Sequence, residues 1–206
     1  MFIVFEGIDG AGKTTQARSL TRRLTRLEHQ VIMVHEPGGT PLGEAVRRWV
    51  KTRRGLNSQT ELFLFSAARA QLVTDVIRPA LSNGAVVIAD RFVASTVAYQ
   101  GYGRGMDLGL ISQVNREAAA EISPDLTILL DVAPEVGPRR KTGRSNPKSK
   151  AGTDNFDAAP TEFHRRVRHG YLEQARIDPA RWLVLDATSS KAQLSKEIWA
   201  KVKPLL

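Results

Sequence analysis

The chain has 206 residues, 42% hydrophobic and 25% charged, with a formal net charge of +9 and no cysteine. That length predicts one domain over 1–206 with a sizeable core, and the lack of cysteine excludes disulfides and thiolate metal sites. No run of about eighteen apolar residues predicts a membrane-spanning helix, and the first residues lack the basic and apolar regions of a signal peptide, so the expected compartment is the cytoplasm.

In chain order, apolar runs at 2–5, 31–34, 85–89, 126–130 and 183–185 predict five strands. Their near-continuous hydrophobicity suits parallel strands buried on both faces. Helical patterns separate them at about 13–28, 42–52, 59–81, 108–121, 134–141, 160–176 and 190–202. Pro41 fits the first turn of its helix, and Asp107 and Ser189 fit N-cap positions. The alternation predicts an α/β fold, a doubly wound, five-stranded parallel sheet with helices on both faces. In such folds ligands lie at the carboxyl ends of the strands. No internal repeat or second domain is expected.

Between the first strand and the first helix stands Gly7-Ile8-Asp9-Gly10-Ala11-Gly12-Lys13-Thr14, followed by Thr15. It fits the phosphate-binding pattern G-x-x-x-x-G-K-[ST] in the strand–loop–helix setting that gives the pattern mechanical meaning. Glycines let successive N–H groups point at a polyphosphate, and the helix N-terminus adds partial positive charge. Lys13 is placed to reach the β- and γ-phosphates, and the Thr14 hydroxyl to ligate Mg²⁺. A bare glycine turn explains two of the glycines but not Lys and Thr in register.

The positive excess fits either nucleic acid or small polyphosphates. Arg22-Arg23, Arg47-Arg48, Lys51 and Arg53-Arg54 are scattered over different helices, and no aromatic residues interleave with the dense block Arg139-Arg140-Lys141, Arg144, Lys148 and Lys150. That distribution argues against nucleic acid as a partner. The segment from about 139 to 160 is rich in Gly, Ser, Asn, Pro and Lys. It is either an exposed surface loop or a mobile lid that lowers cations over bound phosphates and excludes water, and inside a phosphate-binding fold the lid is favoured.

Further stretches fall at strand ends. Glu36-Pro37-Gly38-Gly39-Thr40 is a turn-rich loop that either brings backbone close to a ligand or merely turns. Asp90-Arg91 offers a Mg²⁺-supporting carboxylate and a phosphate clamp, or else a structural ion pair. Ser95, Thr96, Tyr99 and Gln100 lead a flexible aromatic segment through Gly105. Phe65 and Arg69 share a helix face at i, i+4. Together they suit stacking on and hydrogen bonding to a pyrimidine, although Phe65 alone fits the core and Arg69 alone fits a solvated charge.

Taken jointly, Glu6-Gly7-x-Asp9 through Thr15, Glu36 through Thr40, Phe65-Ser66-Ala67-Ala68-Arg69, Asp90-Arg91-Phe92 and Ser95-Thr96-x-x-Tyr99-Gln100-Gly101 resemble bacterial thymidylate kinase. Pro124 through Thr127 and Leu130-Asp131-Val132 extend the likeness, which runs from Met1 to about Thr188. The resemblance implies a P-loop NTPase fold and transfer of the γ-phosphoryl group of MgATP to dTMP. It gives the adenine a place near Ala187-Thr188. It implies thymine stacking on Phe65, base contacts from Arg69, Thr96 and Gln100, and Tyr99 beneath the deoxyribose. Arg91 and Arg47 would hold the dTMP phosphate, with Glu36, Pro37 and Ser95 in the same pocket, and Asp9 would bridge the acceptor, the metal's water and the loop. A homodimer is also implied. Another nucleoside monophosphate as acceptor, or a nucleic-acid-binding ATPase, remain the alternative readings.

One subclass of this family carries a catalytic arginine in the glycine loop, where this chain has Gly10. The chain therefore resembles the other subclass, with the arginine supplied by the lid, which agrees with Arg139, Arg140 and Arg144 there; Arg140 and Arg144 are the catalytic candidates. Many relatives end the lid with Asp-Arg-x-Glu, whereas this chain reads Asp154-Asn155-Phe156-Asp157.

Overall fold

The computed structural model describes residues 1–52, 55–136 and 159–206. Strands β1 (Phe2–Glu6), β2 (Val31–His35), β3 (Val86–Asp90), β4 (Leu126–Asp131) and β5 (Trp182–Asp186) form one sheet in the order β2-β3-β1-β4-β5. Every neighbouring pair is parallel, as the continuous apolar runs predict. The three inner strands are almost wholly buried, while the edge strands β2 and β5 are half exposed. Edge position, not composition, accounts for that difference.

The α-helices of the described residues are α1 (Lys13–Arg26), α2 (Pro41–Thr52), α3 (Ser58–Leu72), α4 (Arg78–Ser82), α5 (Val93–Thr96), α6 (Leu108–Ala119), α7 (Thr161–Ile177) and α8 (Lys191–Val202), and a short 3-10 helix follows at Lys203–Leu205. Alternate strand side chains point to opposite faces, and two cores result. Ile3, Phe5 and Ile88 pack under α1, α7 and α8 through Leu20, Val167 and Ile198. Phe2, Val4 and Val87 pack on the other face against Leu72, Ile77 and Ala119.

Four expectations need correction. The helix expected over 59–81 is interrupted by a π-helical turn at Val73–Ile77 before α4. Pro79 explains this, because it has no N–H to give to residue 75 and its ring crowds that carbonyl. The segment expected to be flexible around Tyr99–Gly105 is instead helical, α5 running into a π-helical stretch at Val97–Gly103. Its glycines serve close packing. A Cβ at Gly101 would meet Leu108 Cδ2 at 2.6 Å, and one at Gly103 would meet Phe163 Cε2 at 2.6 Å. The last helix is capped by Ser190, not Ser189: the Ser190 hydroxyl accepts from the Gln193 N–H. Residues 134–136 of the expected 134–141 helix form a turn. Asp107 caps α6 as predicted, accepting from the Leu110 N–H at 2.7 Å.

Register places the site. Phe5 and His35 both pair with Asp90, and Asp131 pairs with Asp186. The carboxyl ends of all five strands therefore open on one edge. Central β1 delivers the glycine loop there, with Asp90 and Arg91 on one side of it and Asp131 and Ala187 on the other.

Candidate active site

The glycine loop requires glycine at two points for different reasons. Gly7 has φ +135°, and a Cβ there would meet the Leu130 carbonyl oxygen at 2.5 Å. Gly12 has φ +100°, in the left-handed region that L side chains avoid, and opens α1. Lys13 folds back over the loop, its Nζ donating to the Gly7 and Ile8 carbonyls at 3.0 Å each. Only 6% of it is exposed. Burial, with Arg91 nearby, lowers its pKa from the ordinary 10.5 to about 8, although Asp9 and Asp90 oppose the shift. The Thr14 hydroxyl donates to the Asp90 carboxylate. Thr15 sits half-buried in the first turn of α1. Ala187 is buried, its N–H donating to the Asp131 carbonyl at 2.8 Å.

Arg91 joins the loop to side chains of α5, α7 and the stretch after α5. Its backbone is left-handed, with φ +78°, an uncommon conformation for a non-glycine residue that must be held by its surroundings. The Nη2 group donates to Asp9 Oδ1 at 2.8 Å and to the Tyr99 hydroxyl at 3.2 Å. The Nη1 group donates to Ser95 Oγ and to the Tyr171 hydroxyl, both at 3.1 Å. Burial works against its charge, but Tyr99, Tyr171, Asp9 and Glu6 more than offset this and leave its pKa raised. Burial likewise raises the Tyr99 phenol.

The wall opposite is built on α3. Glu61, Phe65 and Arg69 recur every four residues and so share a face. Arg69 is 2% exposed, with Nε and Nη2 on the Glu36 carboxylate, Nη2 also on the Phe92 carbonyl and Thr96 hydroxyl, and Nη1 on Asn115 Oδ1. With five N–H groups in all, it retains at most one Nη1 hydrogen for a ligand. Burial raises the Glu36 carboxyl while Arg69 opposes it. The Glu36–Pro37 peptide is cis, and Arg47 Nη1 donates to the Pro37 carbonyl at 3.1 Å. Phe65 is half-buried, with part of its surface against Val46, Val50 and Ala68. Phe65 therefore packs on the core and keeps exposed surface. Gln100 is 1% exposed and donates to Glu61 Oε2 at 3.4 Å.

The structure joins Asp9, Lys13, Arg91, Ser95 and Tyr99 in one cluster beside the Thr14–Asp90 pair. Hydrogen bonds join Glu36, Arg69 and Thr96, while Arg47 bonds Pro37, Phe65 packs on Val46, Val50 and Ala68, and Gln100 bonds Glu61. Arg140 and Arg144, with the expected lid as far as residue 158, lie outside the described residues.

Sequence reasoning left several participants without a role. Glu6 is fully buried and accepts from the Phe92 N–H, Ser95 N–H, Ser95 hydroxyl and Tyr171 hydroxyl. A carboxylate ending an otherwise apolar strand was a signal that could have found it. Tyr171 follows Phe163 and Val167 at helical spacing and reads as core, so its hydroxyl gave none. Arg104, which pairs with Glu61 at 2.8 Å, and Asn115 likewise carry no pattern in the sequence.

The sequence model of the family described as Thymidylate kinase matches residues 5–198. The chain belongs to the thymidylate kinase family. It is 46% identical over 205 residues to the thymidylate kinase of Thermomicrobium roseum, covering 100% of this chain and 95% of that protein. It is also 46% identical over 203 residues to that of Deinococcus radiodurans, covering 98% and 96%. Among solved structures, the thymidylate kinase of Ehrlichia chaffeensis superposes with a TM-score of 0.74 at 38% identity, over 90% of this chain and 91% of that one. The family's P-loop NTPase fold is the five-stranded parallel architecture described above.

Proposed function

We propose that this protein transfers the γ-phosphoryl group of ATP to the phosphate of dTMP, giving dTDP and ADP. The observation that carries the reading is the 2.8 Å pair between Asp9 of the glycine loop and Arg91. It joins a polyphosphate-binding loop to a pocket walled by an aromatic ring, buried amides and hydroxyls, in a chain of the thymidylate kinase family.

The chemistry is electrostatic positioning. Two unit charges 4 Å apart repel by about 4 kcal/mol at an effective dielectric near 20, and each phosphate carries more than one. Lys13 exchanges its two carbonyl partners for phosphate oxygens of ATP, and Arg91 turns its Nη2 edge from Asp9 and Tyr99 to the acceptor phosphate. In-line attack then needs no covalent enzyme intermediate, and no strong base, because the acceptor phosphate is ionised near neutral pH. Asp9 therefore positions groups and does not remove a proton. On the acceptor side, Phe65 stacks on thymine, and Thr96, Gln100 and the last Nη1 hydrogen of Arg69 meet its polar edge. Glu36 and Pro37 shape that pocket, Arg47 assists Arg91, and Tyr99 lies under the sugar. The segment 139–160 acts as the lid that carries Arg140 and Arg144 to the transferred group.

The fit to Mg²⁺ rests on an oxygen donor set. Thr14 and Asp90 meet at the mouth of the loop, and the described residues contain no cluster of three His, Cys, Asp or Glu side chains. Magnesium needs no such cage, since one or two protein oxygens plus phosphates suffice. Thr14 and Asp90 would hold it, and when bound it supplies charge neutralisation at the phosphates.

A homodimer is supported by exposed apolar side chains on two helices that pack together, Leu42 and Trp49 on α2 and Phe63 on α3, 42%, 50% and 55% exposed. No helix of the described residues is long and apolar enough to cross a membrane, and a cysteine-free chain suits the reducing cytoplasm, where we place it. The test is an ADP-release assay with dTMP, dUMP, UMP, CMP, AMP and GMP as acceptors. Turnover is expected to be highest with dTMP, and no advantage for dTMP overturns the reading.

A further inference from the structure

Against Arg91 lies a buried polar layer of Glu6, Ser95 and Tyr171. Glu6 stands at its centre, 0% exposed, at the last position of the central strand. Its two carboxylate oxygens do different work. Oε1 accepts from the Phe92 N–H at 2.9 Å and the Ser95 N–H at 3.2 Å. These are backbone donors at the start of α5, whose own N-cap residue Phe92 supplies no side-chain acceptor. Oε2 accepts from the Ser95 hydroxyl at 2.6 Å and the Tyr171 hydroxyl at 2.9 Å. Those same two hydroxyl oxygens accept from Arg91 Nη1, each at 3.1 Å.

Each hydroxyl has one proton to give. With both protons directed to Glu6 Oε2, the oxygen lone pairs of Ser95 and Tyr171 face Arg91. The 2.9 Å approach of the two hydroxyl oxygens is then a contact between two groups sharing one acceptor. The polarity of the layer is thus set by a group that only accepts. It also divides the Arg91 guanidinium into two halves. Nη1 is anchored on the buried layer, while Nη2 faces Asp9 and Tyr99, where a phosphate oxygen can replace them.

We propose that Glu6 is a positioning residue for the acceptor phosphate: through Ser95 and Tyr171 it orients and holds Arg91, and thereby sets affinity for the monophosphate group. The proposal rests on the dTMP reading above and concerns a residue that reading gives no role. Burial of the carboxyl raises its pKa, and Arg91, the Ser95 and Tyr171 hydroxyls and the Phe92 N–H oppose the rise.

Glu6→Gln isolates the effect. The amide oxygen continues to accept from the Phe92 and Ser95 N–H groups, so the start of α5 keeps its cap. The amide nitrogen must donate where Oε2 accepted, which turns the Ser95 and Tyr171 protons away and towards Arg91. Affinity for dTMP, measured by calorimetry, is expected to fall by about tenfold or more, the scale of one lost charge-assisted interaction. Affinity for thymidine, which has no phosphate, should change by less than about twofold. In an Arg91→Ala background the same substitution should cost dTMP binding nothing further, since coupled residues are non-additive. Tyr171→Phe, which removes one relay hydroxyl and leaves the charge, should give a smaller loss with the same selectivity for dTMP over thymidine. It provides the same readout should Glu6→Gln not fold.

Equal losses for dTMP and thymidine, or an additive loss in the Arg91→Ala background, would mean that Glu6 only supports the fold, and would overturn the proposal. Unchanged dTMP affinity in both variants would also overturn it. Failure of the acceptor reading looks different: the unsubstituted protein would then bind no dTMP and show no dTMP-dependent ADP release.

Discussion

Arg69 and Glu36 form an ion pair of 2.7 Å in which the two side chains are 2% and 8% exposed. One comes from α3 and the other from the loop after β2, so the pair fixes α3 to the end of the sheet. Removing one partner of such a pair leaves an uncompensated buried charge. Arg69→Met should therefore destabilise the protein by about 3–5 kcal/mol in denaturant unfolding. Adding Glu36→Gln should recover part of that loss. A cost below about 1 kcal/mol would mean that water reaches the pair, as at a surface salt bridge.

Lys13 presents the opposite case, a charge held at a cost. Its folded pKa of about 8 lies below the ordinary 10.5, so between those values the unfolded chain binds more protons than the folded one. Stability of the ligand-free protein gains from this group as pH rises through that window. Below pH 8 the full cost is present, about 3 kcal/mol at 1.36 kcal/mol per pH unit. Lys13→Met should accordingly raise the Tm of the free protein while cutting kcat/KM for ATP by about a thousandfold or more, the scale set by loss of a key transition-state charge. In the unsubstituted protein kcat/KM for ATP should fall above about pH 8, because it reports the free enzyme. The limb in kcat should lie at higher pH, where bound phosphates favour the charged amine. A Lys13→Met protein with near-normal turnover would refute this role.

The scaffold and the donor side were legible because each left a local trace. Continuous apolar runs marked β1, β3 and β4, and the spacing of Gly7, Gly12, Lys13 and Thr14 marked the loop. The acceptor side depended on joint motifs, since Phe65 in isolation is indistinguishable from a core residue and Arg69 from a surface charge. Tyr171 and Asn115 escaped entirely: each reaches the site from a helix through tertiary packing, and one hydroxyl or amide on a buried face changes no periodicity. Gly101 and Gly103 misled for a related reason. Sequence offers flexibility and close packing as equal readings of a glycine, and only the neighbouring Leu108 and Phe163 decide between them.

That reading of Gly103 is itself testable. Its absent side chain makes room for the Phe163 ring and for Val167 Cγ2, which a Cβ would approach to 2.6 and 2.9 Å. Gly103→Ala should cost about 1–3 kcal/mol through overpacking, seen as a lowered Tm. Since Phe163 and Val167 lie on the helix that carries Tyr171, KM for dTMP should rise more than KM for ATP. A stabilised variant with unchanged kinetics would return this segment to the flexible description.

The proposed dimer depends on the exposed faces of α2 and α3. Phe63→Glu places a charge where an apolar ring is 55% exposed. In a monomer this is close to neutral, whereas in a dimer core it leaves a buried unpaired charge. Sedimentation should show the unsubstituted protein as a dimer and the variant shifted to monomer with its circular dichroism intact. A monomeric parent protein would remove the proposal.

Thr14 and Asp90 touch across 76 positions of sequence, linking the first turn of α1 to the end of β3. The Thr14 hydroxyl donates to the Asp90 carboxylate. In the proposed Mg²⁺ site Thr14 and Asp90 would hold the ion, and it would supply charge neutralisation at the phosphates. Asp90→Asn keeps an acceptor for Thr14 but removes the charge. Its effect should therefore appear as a Mg²⁺ requirement about 10–100-fold higher, the range typical of a lost supporting carboxylate. Excess Mg²⁺ should restore much of kcat, and the melting temperature should move little. Thr14→Val should raise the same requirement without removing charge, which separates ligation from electrostatics. If Asp90→Asn lowers kcat equally at every Mg²⁺ concentration, the carboxylate acts on Arg91 or Lys13 rather than on the ion, and the metal assignment falls.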